Sequence, residues 1–225
     1  MKLTLKDISI GYSAPVVTSI DAELNSGDFV CLVGRNGTGK STLLKTIAGL
    51  QPPLQGQILV NGASFSRAHL PHIGIVLTQA PQLNNTTVFE LVSYGRIQHQ
   101  NLFASLSAED IGAIEEAIST VGIQDLKDRK LDQLSDGEKQ KAMIARALAQ
   151  GTDVLLLDEP SAFLDYISRR ELMHLLRVLA HQENKIILLS THDIDLVNSF
   201  ADVSWIISDH ELRVSNSVLQ FSQLT

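Results

Sequence analysis

A glycine-rich octapeptide is the segment of this sequence whose residue types and spacing most clearly predict chemistry. Residues 34–41 read GRNGTGKS and match the pattern G-x-x-x-x-G-K-[ST]. Glycines let backbone N–H groups approach phosphate oxygens, and the helix that follows directs its positive dipole end to the same anion. In such a loop Lys40 reaches the β- and γ-phosphates, and the Ser41 hydroxyl is a ligand for Mg²⁺. The motif predicts a site for a magnesium nucleotide.

A pair of carboxylates is the second chemical feature. Residues 154–160 read VLLLDEP, an apolar strand that ends in two acidic side chains. Open α/β sheets bind ligands at the carboxyl ends of their strands. Asp158 would hold Mg²⁺ directly or through water, and Glu159 would orient and deprotonate an attacking water. A solvated acidic turn is the alternative for this segment alone, but next to the octapeptide it indicates nucleotide hydrolysis.

The elements that must position these residues are predicted from hydrophobic periodicity and turn signals. The octapeptide lies between a predicted strand, Phe29–Val33, and a helix that starts after Gly39 and stops before Pro52. The other predicted strands are Leu3–Ile10, Val16–Leu24, Gln57–Val60, Ile73–Leu77, Val154–Leu157, Lys185–Ser190, Val203–Ile207 and Leu212–Val214.

The middle of the chain, from about Thr87 to Gln150, has a helical pattern. Ser107 and Ser135 are expected N-caps, and the latter has the capping-box spacing with Glu138. Two later helices are predicted at Ser168–Ala180 and Ile194–Ala201. The simplest architecture is a parallel-sheet α/β core with an early antiparallel layer and a helical insert. We predict a single domain, with a core of residues 1–85 and 151–225 and a helical subdomain of about 86–150.

A resemblance to a known family is carried by these motifs together with residues 134–140, which read LSDGEKQ. This segment is similar to the Leu-Ser-Gly-Gly-Gln signature of ATP-binding-cassette (ABC) nucleotide-binding domains, which the chain resembles over essentially its whole length. The resemblance implies a RecA-like P-loop NTPase fold, ATP and Mg²⁺, and two copies that close head to tail. Ser135 and Gly137 would contact the γ-phosphate of ATP held by the other subunit. On the loop, the expected nucleotide contacts are Gly34, Asn36, Gly37, Gly39, Lys40, Ser41 and Thr42.

Four further positions resemble the family in the expected order. Gln79 resembles the glutamine that touches Mg²⁺ and senses the membrane part of the transporter. Tyr12 resembles the aromatic residue that stacks on adenine, and Asp165 the residue that communicates across the dimer. His192 resembles the histidine that contacts the γ-phosphate. Taken alone, each is more often a packing or surface residue, so their joint order is what supports the assignment.

The signature segment departs from the family pattern at two positions. Asp136 replaces a glycine and puts a carboxylate near a triphosphate, which would weaken binding unless the side chain points away. Glu138 replaces a glutamine but can still close the capping box. These departures keep open a second hypothesis, a slow nucleotide-gated clamp.

Composition limits the remaining functions. The chain has 225 residues and a net charge of -7, so we expect no nucleic-acid partner, because that affinity depends on Lys and Arg. This argues against a soluble ABC ATPase acting on nucleic acid or ribosomes. We read Cys31 as a buried strand residue, the N-terminus as no signal peptide, and six histidines as surface or packing residues. The six are His69, His72, His99, His174, His181 and His210, and we expect a loop around Pro71.

The segment of residues 93–99, SYGRIQH, resembles the importer branch that serves iron–siderophore, haem or cobalamin uptake. No stretch is long and apolar enough to span a bilayer. The resemblance therefore implies a peripheral position on the cytoplasmic face of the cell membrane, held by integral-membrane permease subunits and served indirectly by a solute-binding protein. Phe89, Leu102 and Phe103 are expected either in a groove for the permease or in the core.

Overall fold

The chain is represented by a computed structural model that describes residues 1–78, 83, 85–99, 105–216 and 218–219. The predictions for Gln79, Leu102 and Phe103 lie outside the described residues. Within the described ranges, no helix combines the length and the hydrophobicity needed to span a bilayer.

Ten strands form two sheets in the described part of the chain. They are β1 (Lys2–Gly11), β2 (Pro15–Asn25), β3 (Phe29–Gly34), β4 (Gln55–Val60), β5 (Ala63–Ser64), β6 (Ile73–Val76), β7 (Val154–Asp158), β8 (Ile186–Thr191), β9 (Val203–Ser208) and β10 (Glu211–Ser215). The larger sheet has the order β10-β9-β3-β8-β7-β6 and is parallel except at β10. The smaller sheet, β2-β1-β4-β5, is antiparallel. The predicted mixed α/β fold with an early antiparallel layer is confirmed.

Six α-helices accompany the sheets in the same ranges. They are α1 (Lys40–Ile47), α2 (Val88–Ser93), α3 (Ala108–Thr120), α4 (Asp136–Ala149), α5 (Tyr166–His181) and α6 (Ile194–Phe200). Ser107 and Ser135 cap α3 and α4 as predicted. The predicted start of α5 at Ser168 is wrong by two residues, because the Asp165 carboxylate caps the helix. Short 3-10 helices occur at Arg67–His72, Tyr94–His99, Gln124–Leu126 and Leu131–Gln133.

Strand β3 separates two hydrophobic clusters because its side chains alternate between the faces of the sheet. Val30 and Leu32 pack with α1 and the antiparallel sheet. Phe29, Cys31 and Val33 pack with helices α2–α6. The octapeptide that follows β3 is therefore anchored on both sides. The division into a core and a helical subdomain stays a prediction, and Phe89 lies partly buried against the second cluster.

The expectation of a loop around Pro71 is wrong. Arg67–His72 is a 3-10 helix with Pro71 inside it. The helix is held at its start by His69, whose Nδ1 accepts the Ser66 N–H at 3.0 Å and whose ring stacks on Phe65. A side-chain cap can thus hold a short 3-10 segment around a proline, which periodicity alone does not reveal.

A buried ion pair ties the segment after α2 to α3. Arg96 Nε lies 2.9 Å from Asp110 Oδ1, and the guanidinium also donates to the carbonyl oxygen of Ala149 in α4. Hydrogen bonds from the Ser107 hydroxyl and from Arg96 lower the pKa of Asp110 to about 2. A depressed pKa stabilises the folded state above the ordinary pKa near 4, and this stabilisation is lost as the pH falls toward about 2.

Asp110→Asn is therefore expected to lower the melting temperature by several degrees at pH 7, because the Arg96 charge loses its buried partner. The variant should also show a shallower loss of stability between pH 4 and pH 2 than the wild type. Thermal unfolding followed by circular dichroism across this range measures both effects. Asp128→Asn, at an exposed aspartate, is the control, and equal melting temperatures for Asp110→Asn and the wild type at pH 7 would contradict the argument.

Candidate functional site

The octapeptide forms the turn between β3 and α1, as the sequence predicted. Gly37 and Gly39 have φ angles of 83° and 106°, in the left-handed region that favours glycine. A Cβ on Gly34 would lie 2.8 Å from the carbonyl oxygen of Ile207, which is too close for any side chain. The backbone path of this loop therefore depends on its glycines.

The N-terminus of α1 differs from those of the other described α-helices. Side chains of Thr87, Ser107, Ser135, Asp165 and Asp193 accept backbone N–H groups at the starts of α2–α6. Gly39 provides no such bond to α1. The first N–H groups of a helix have no intrahelical acceptor, so those of α1 are left for an anion.

Lys40 is the cation of the loop whose side chain is buried. Its Nζ donates hydrogen bonds to the carbonyl oxygens of Gly34 and Arg35, at 2.8 and 3.1 Å. The same Nζ lies 3.6 Å from Glu159 Oε1. The ammonium is thus held inside the loop, next to the second sequence motif.

Asp158 and Glu159 lie at the carboxyl end of β7, as predicted. The buried Asp158 accepts a hydrogen bond from the Ser190 hydroxyl at 2.7 Å, and the hydroxyl accepts the Glu159 N–H at 2.9 Å. Thr78, two residues after the neighbouring strand β6, donates a hydrogen bond from its hydroxyl to the Asp158 carbonyl oxygen. His192 follows β8, and its Nδ1 lies 3.8 Å from Glu159 Oε1.

A cleft of about 440 Å³, here named the P-loop cleft, brings most of the predicted residues together. Its lining residues are Tyr12, Val16, Asn36, Gly37, Gly39, Lys40, Ser41, Thr42, Thr78, Asp158 and Glu159. Tyr12 is 68% exposed at the cleft. A flat aromatic face beside an anion-binding loop fits a nucleotide better than a simple phosphate.

The start of α4 forms a second cleft of about 250 Å³, here named the signature cleft. It is lined by Ser135, Gly137, Glu138, Lys141, Leu164, Ser168, Glu171 and Leu172. It shares no described lining residue with the P-loop cleft. Ser135 and Gly137 therefore do not complete the site that Lys40 and Glu159 form within one chain.

The capping box of α4 forms as predicted. Glu138 accepts hydrogen bonds from the backbone N–H and the hydroxyl of Ser135, both at 2.8 Å, and these bonds lower its pKa. Asp136 is 64% exposed and lies 3.5 Å from the Lys139 ammonium. The extra carboxylate of the signature segment is thus partly offset by a neighbouring cation.

Asp165 caps the N-terminus of α5. Its carboxylate accepts the N–H groups of Ile167 and Ser168 and the Ser168 hydroxyl, and these bonds, the Ser168 N–H first, lower its pKa. The predicted role of Asp165 in communication across a dimer stays a prediction.

Sequence reasoning missed Val16, Thr78 and Ser190. Val16 and Thr78 line the P-loop cleft, and Ser190 binds both acidic residues. A hydroxyl at the end of an otherwise apolar strand, as in residues 185–190 (KIILLS), is the signal that would have pointed to Ser190.

The side-chain oxygens of the P-loop cleft suit Mg²⁺ only together with the phosphates of a bound nucleotide. In the part of the chain that the structure describes, no group of three or more His, Cys, Asp or Glu side chains is placed to hold a metal ion. Mg²⁺ usually binds through one or two carboxylates together with substrate phosphates and waters. The Ser41 hydroxyl and the Asp158 carboxylate on one cleft fit that requirement.

A glycine-rich loop, an uncapped helix and two carboxylates at the carboxyl edge of a parallel sheet define a P-loop nucleotide-binding protein. The family model described as ABC transporter matches residues 17–162. The chain belongs to this family and is an ATPase of the ABC type.

Similar proteins include ATP-binding proteins of transport and uptake systems. The achromobactin transport ATP-binding protein CbrD of Dickeya dadantii is 38% identical over 205 residues, which cover 89% of this chain and 76% of that protein. The high-affinity zinc uptake system ATP-binding protein ZnuC of Bacillus subtilis is 37% identical over 204 residues, which cover 89% and 88%. The dimeric structure of MJ0796, a bacterial ABC transporter cassette, superposes with a TM-score of 0.81 at 26% identity and covers 97% of this chain and 100% of that one.

Proposed function

We propose that this chain binds MgATP in the P-loop cleft and hydrolyses it as the motor subunit of an ABC importer. The observation that carries the proposal is the uncapped N-terminus of α1, which opens on a cleft that also holds Lys40, Asp158 and Glu159. Free N–H groups and a cation suit a triphosphate, and adjacent carboxylates suit its metal and its attacking water.

Nucleotide binding is assigned to the loop and to Tyr12. The N–H groups at the start of α1, with Asn36, Gly37 and Thr42 around them, would bind phosphate oxygens. Lys40 would exchange its bonds to Gly34 and Arg35 for the β- and γ-phosphates. The exposed ring of Tyr12 would stack on adenine.

The metal site is assigned to Ser41 and Asp158, with Gln79 as a further ligand predicted outside the described residues. When bound there, Mg²⁺ would neutralise charge on the phosphates. The Ser190 hydroxyl already engages one oxygen of the Asp158 carboxylate. The second carboxylate oxygen would then be the one offered to the metal.

Hydrolysis is assigned to Glu159 and His192. Glu159 would take a proton from the attacking water, and His192 would contact the γ-phosphate. Stabilisation of the phosphoryl charge by Lys40 and backbone N–H groups would carry most of the catalysis, since phosphoryl transfer needs little covalent chemistry from the protein.

The site is completed by a second copy in this proposal. Among the described residues, the P-loop cleft has no lining residue from the signature cleft, which presents another helix N-terminus elsewhere on the same chain. A head-to-tail dimer would place Ser135 and Gly137 of one copy on the γ-phosphate held by the other. The dimeric state of the similar MJ0796 cassette supports this arrangement.

The proposed cargo is an iron–siderophore, haem or cobalamin, and the proposed location is the cytoplasmic face of the cell membrane on permease subunits. The similarity to the achromobactin transport protein supports a siderophore, and the similarity to the zinc uptake protein favours Zn²⁺ as the alternative cargo. A solute-binding protein would deliver either cargo from the other side.

Affinity purification of the tagged chain from detergent-solubilised membranes of its native host tests the assignment to a transporter. We expect a multi-spanning membrane protein to co-purify, and uptake of labelled ferric siderophore by whole cells to fall when the gene is deleted. Normal siderophore uptake with lost ⁶⁵Zn²⁺ uptake would move the cargo to zinc. A chain recovered without any membrane partner would contradict the importer function.

A nucleotide-gated clamp with slow turnover is a second candidate, favoured by the carboxylate of Asp136 beside the signature cleft. The Lys139 ammonium at 3.5 Å partly offsets that charge, which supports ordinary turnover. Steady-state phosphate release by the purified chain separates the two, because a clamp binds ATP without sustained release.

A further inference from the structure

The buried hydroxyl of Ser190 joins the two acidic residues of the P-loop cleft. Ser190 lies on β8 directly beside Asp158 on β7 in the register of the parallel pair. Its Oγ donates to Asp158 Oδ1 at 2.7 Å and accepts the backbone N–H of Glu159 at 2.9 Å. Ser190 is fully buried and Asp158 is 7% exposed. Water therefore cannot easily take the place of either hydrogen bond, and losing one costs free energy.

The backbone of Glu159 shows why the second bond matters. Glu159 has a φ of 46°, a conformation that costs a residue with a side chain free energy and persists where the surroundings hold it. The Ser190 hydroxyl binds the N–H of this same residue. One side chain therefore fixes a carboxylate oxygen of Asp158 and the turn that aims Glu159.

We propose that Ser190 is a positioning residue that orients the Asp158 carboxylate for the metal of the bound nucleotide and holds the Glu159 turn. This rests on the proposed function of the P-loop cleft. A carboxylate held by a neighbouring donor has one preferred orientation, and such partners of metal ligands commonly affect metal affinity about 10- to 100-fold. With alanine at position 190, the carboxylate would rotate and the Glu159 N–H would lose its acceptor.

If Ser190 has only a structural role, its removal should leave the gain in affinity from Mg²⁺ unchanged. The hydroxyl would then make one more buried hydrogen bond, like the hydroxyl of Thr152 between α4 and β7, which is also fully buried and donates to the Ala147 carbonyl oxygen at 3.1 Å. Thr152 does not line the P-loop cleft. Thr152→Val is therefore the matched control for loss of a buried hydroxyl.

The experiment compares the affinity for a non-hydrolysable imido analogue of ATP in Mg²⁺ and in EDTA, for the wild type, Ser190→Ala, Ser190→Thr and Thr152→Val. In Ser190→Ala we expect the gain in affinity that Mg²⁺ gives to fall about tenfold, with the EDTA affinity unchanged. Phosphate release should show a lower kcat, and the KM for ATP in Mg²⁺ should rise as the affinity for the magnesium nucleotide falls. Ser190→Thr keeps the hydroxyl and should recover most of the gain.

The outcomes separate the hypotheses. An unchanged magnesium gain in Ser190→Ala, or an equal loss in Thr152→Val, would overturn the positioning role and leave the proposed function intact. A wild type that gains nothing from Mg²⁺ would overturn the metal assignment of Asp158, and the inference would fall with it. Melting temperatures identify a variant that folds poorly. If Ser190→Thr folds poorly, the comparison of Ser190→Ala with Thr152→Val decides whether Ser190 has the positioning role.

Discussion

Glu159→Gln is expected to lower steady-state phosphate release about 10²–10⁴-fold, the usual contribution of a positioned general base, while ATP still binds. Glutamine keeps the size of the side chain but cannot accept the proton of water. The Glu159 carboxylate lies 3.6 Å from Lys40 Nζ, so removing its charge removes one competitor with phosphate for the ammonium. Phosphate release and equilibrium binding of labelled ATP measure the two effects separately.

Glu23→Gln is the matched control, because Glu23 pairs with Lys2 at 2.9 Å on the antiparallel sheet and lines neither cleft. The control should turn over at the wild-type rate. Unchanged turnover in Glu159→Gln would remove Glu159 from the mechanism.

The same Glu159→Gln variant is expected to dimerise when saturated with MgATP, since the nucleotide that joins two copies is no longer hydrolysed. Analytical ultracentrifugation with ATP and with ADP measures this association. A strictly monomeric protein at high concentration would refute the head-to-tail arrangement, and with it the proposed roles of Ser135 and Gly137.

Ser135→Ala is the second substitution with a large expected effect. Turnover should fall about 10- to 100-fold, the cost of a lost hydrogen bond to a charged group, because the Ser135 hydroxyl would exchange its bond to Glu138 for one to the γ-phosphate of the other copy. Binding of ATP to the monomer should be unchanged, since Ser135 does not line the P-loop cleft. Phosphate release and ATP binding by the purified variant test both statements.

Ser107→Ala separates this role from helix capping. Ser107 and Ser135 cap their helices in the same way, accepting the N–H of Asp110 at 3.1 Å and of Glu138 at 3.3 Å. Each substitution should cost about 1 kcal/mol of stability, but only Ser135→Ala should slow the ATPase. Equal effects of the two variants on turnover would reduce Ser135 to a capping residue.

Local interactions explain which elements the sequence determined. The β3–loop–α1 unit depends on glycines that adopt φ angles other residues avoid, and the starts of α3 and α4 depend on serines that bind N–H groups three residues on. Such interactions involve neighbours along the chain, so their residue types and spacing predicted them. The start of α5 differs from the prediction because Asp165, predicted to communicate across a dimer, caps this helix.

The tertiary structure alone decided how the pieces meet. Asp158 and Ser190 are neighbours because β7 and β8 pair in a particular register, and Lys40 meets Glu159 because β3 and β7 lie on either side of β8 in one parallel sheet. Strand order and register depend on burying both faces of the sheet against α1 and the other helices. The sequence by itself determined the phosphate loop and the acidic pair. The packing of the sheet decided that they form one cleft, with a buried serine on β8 bound to both acidic residues at the end of β7, because only folding brings such distant segments into contact.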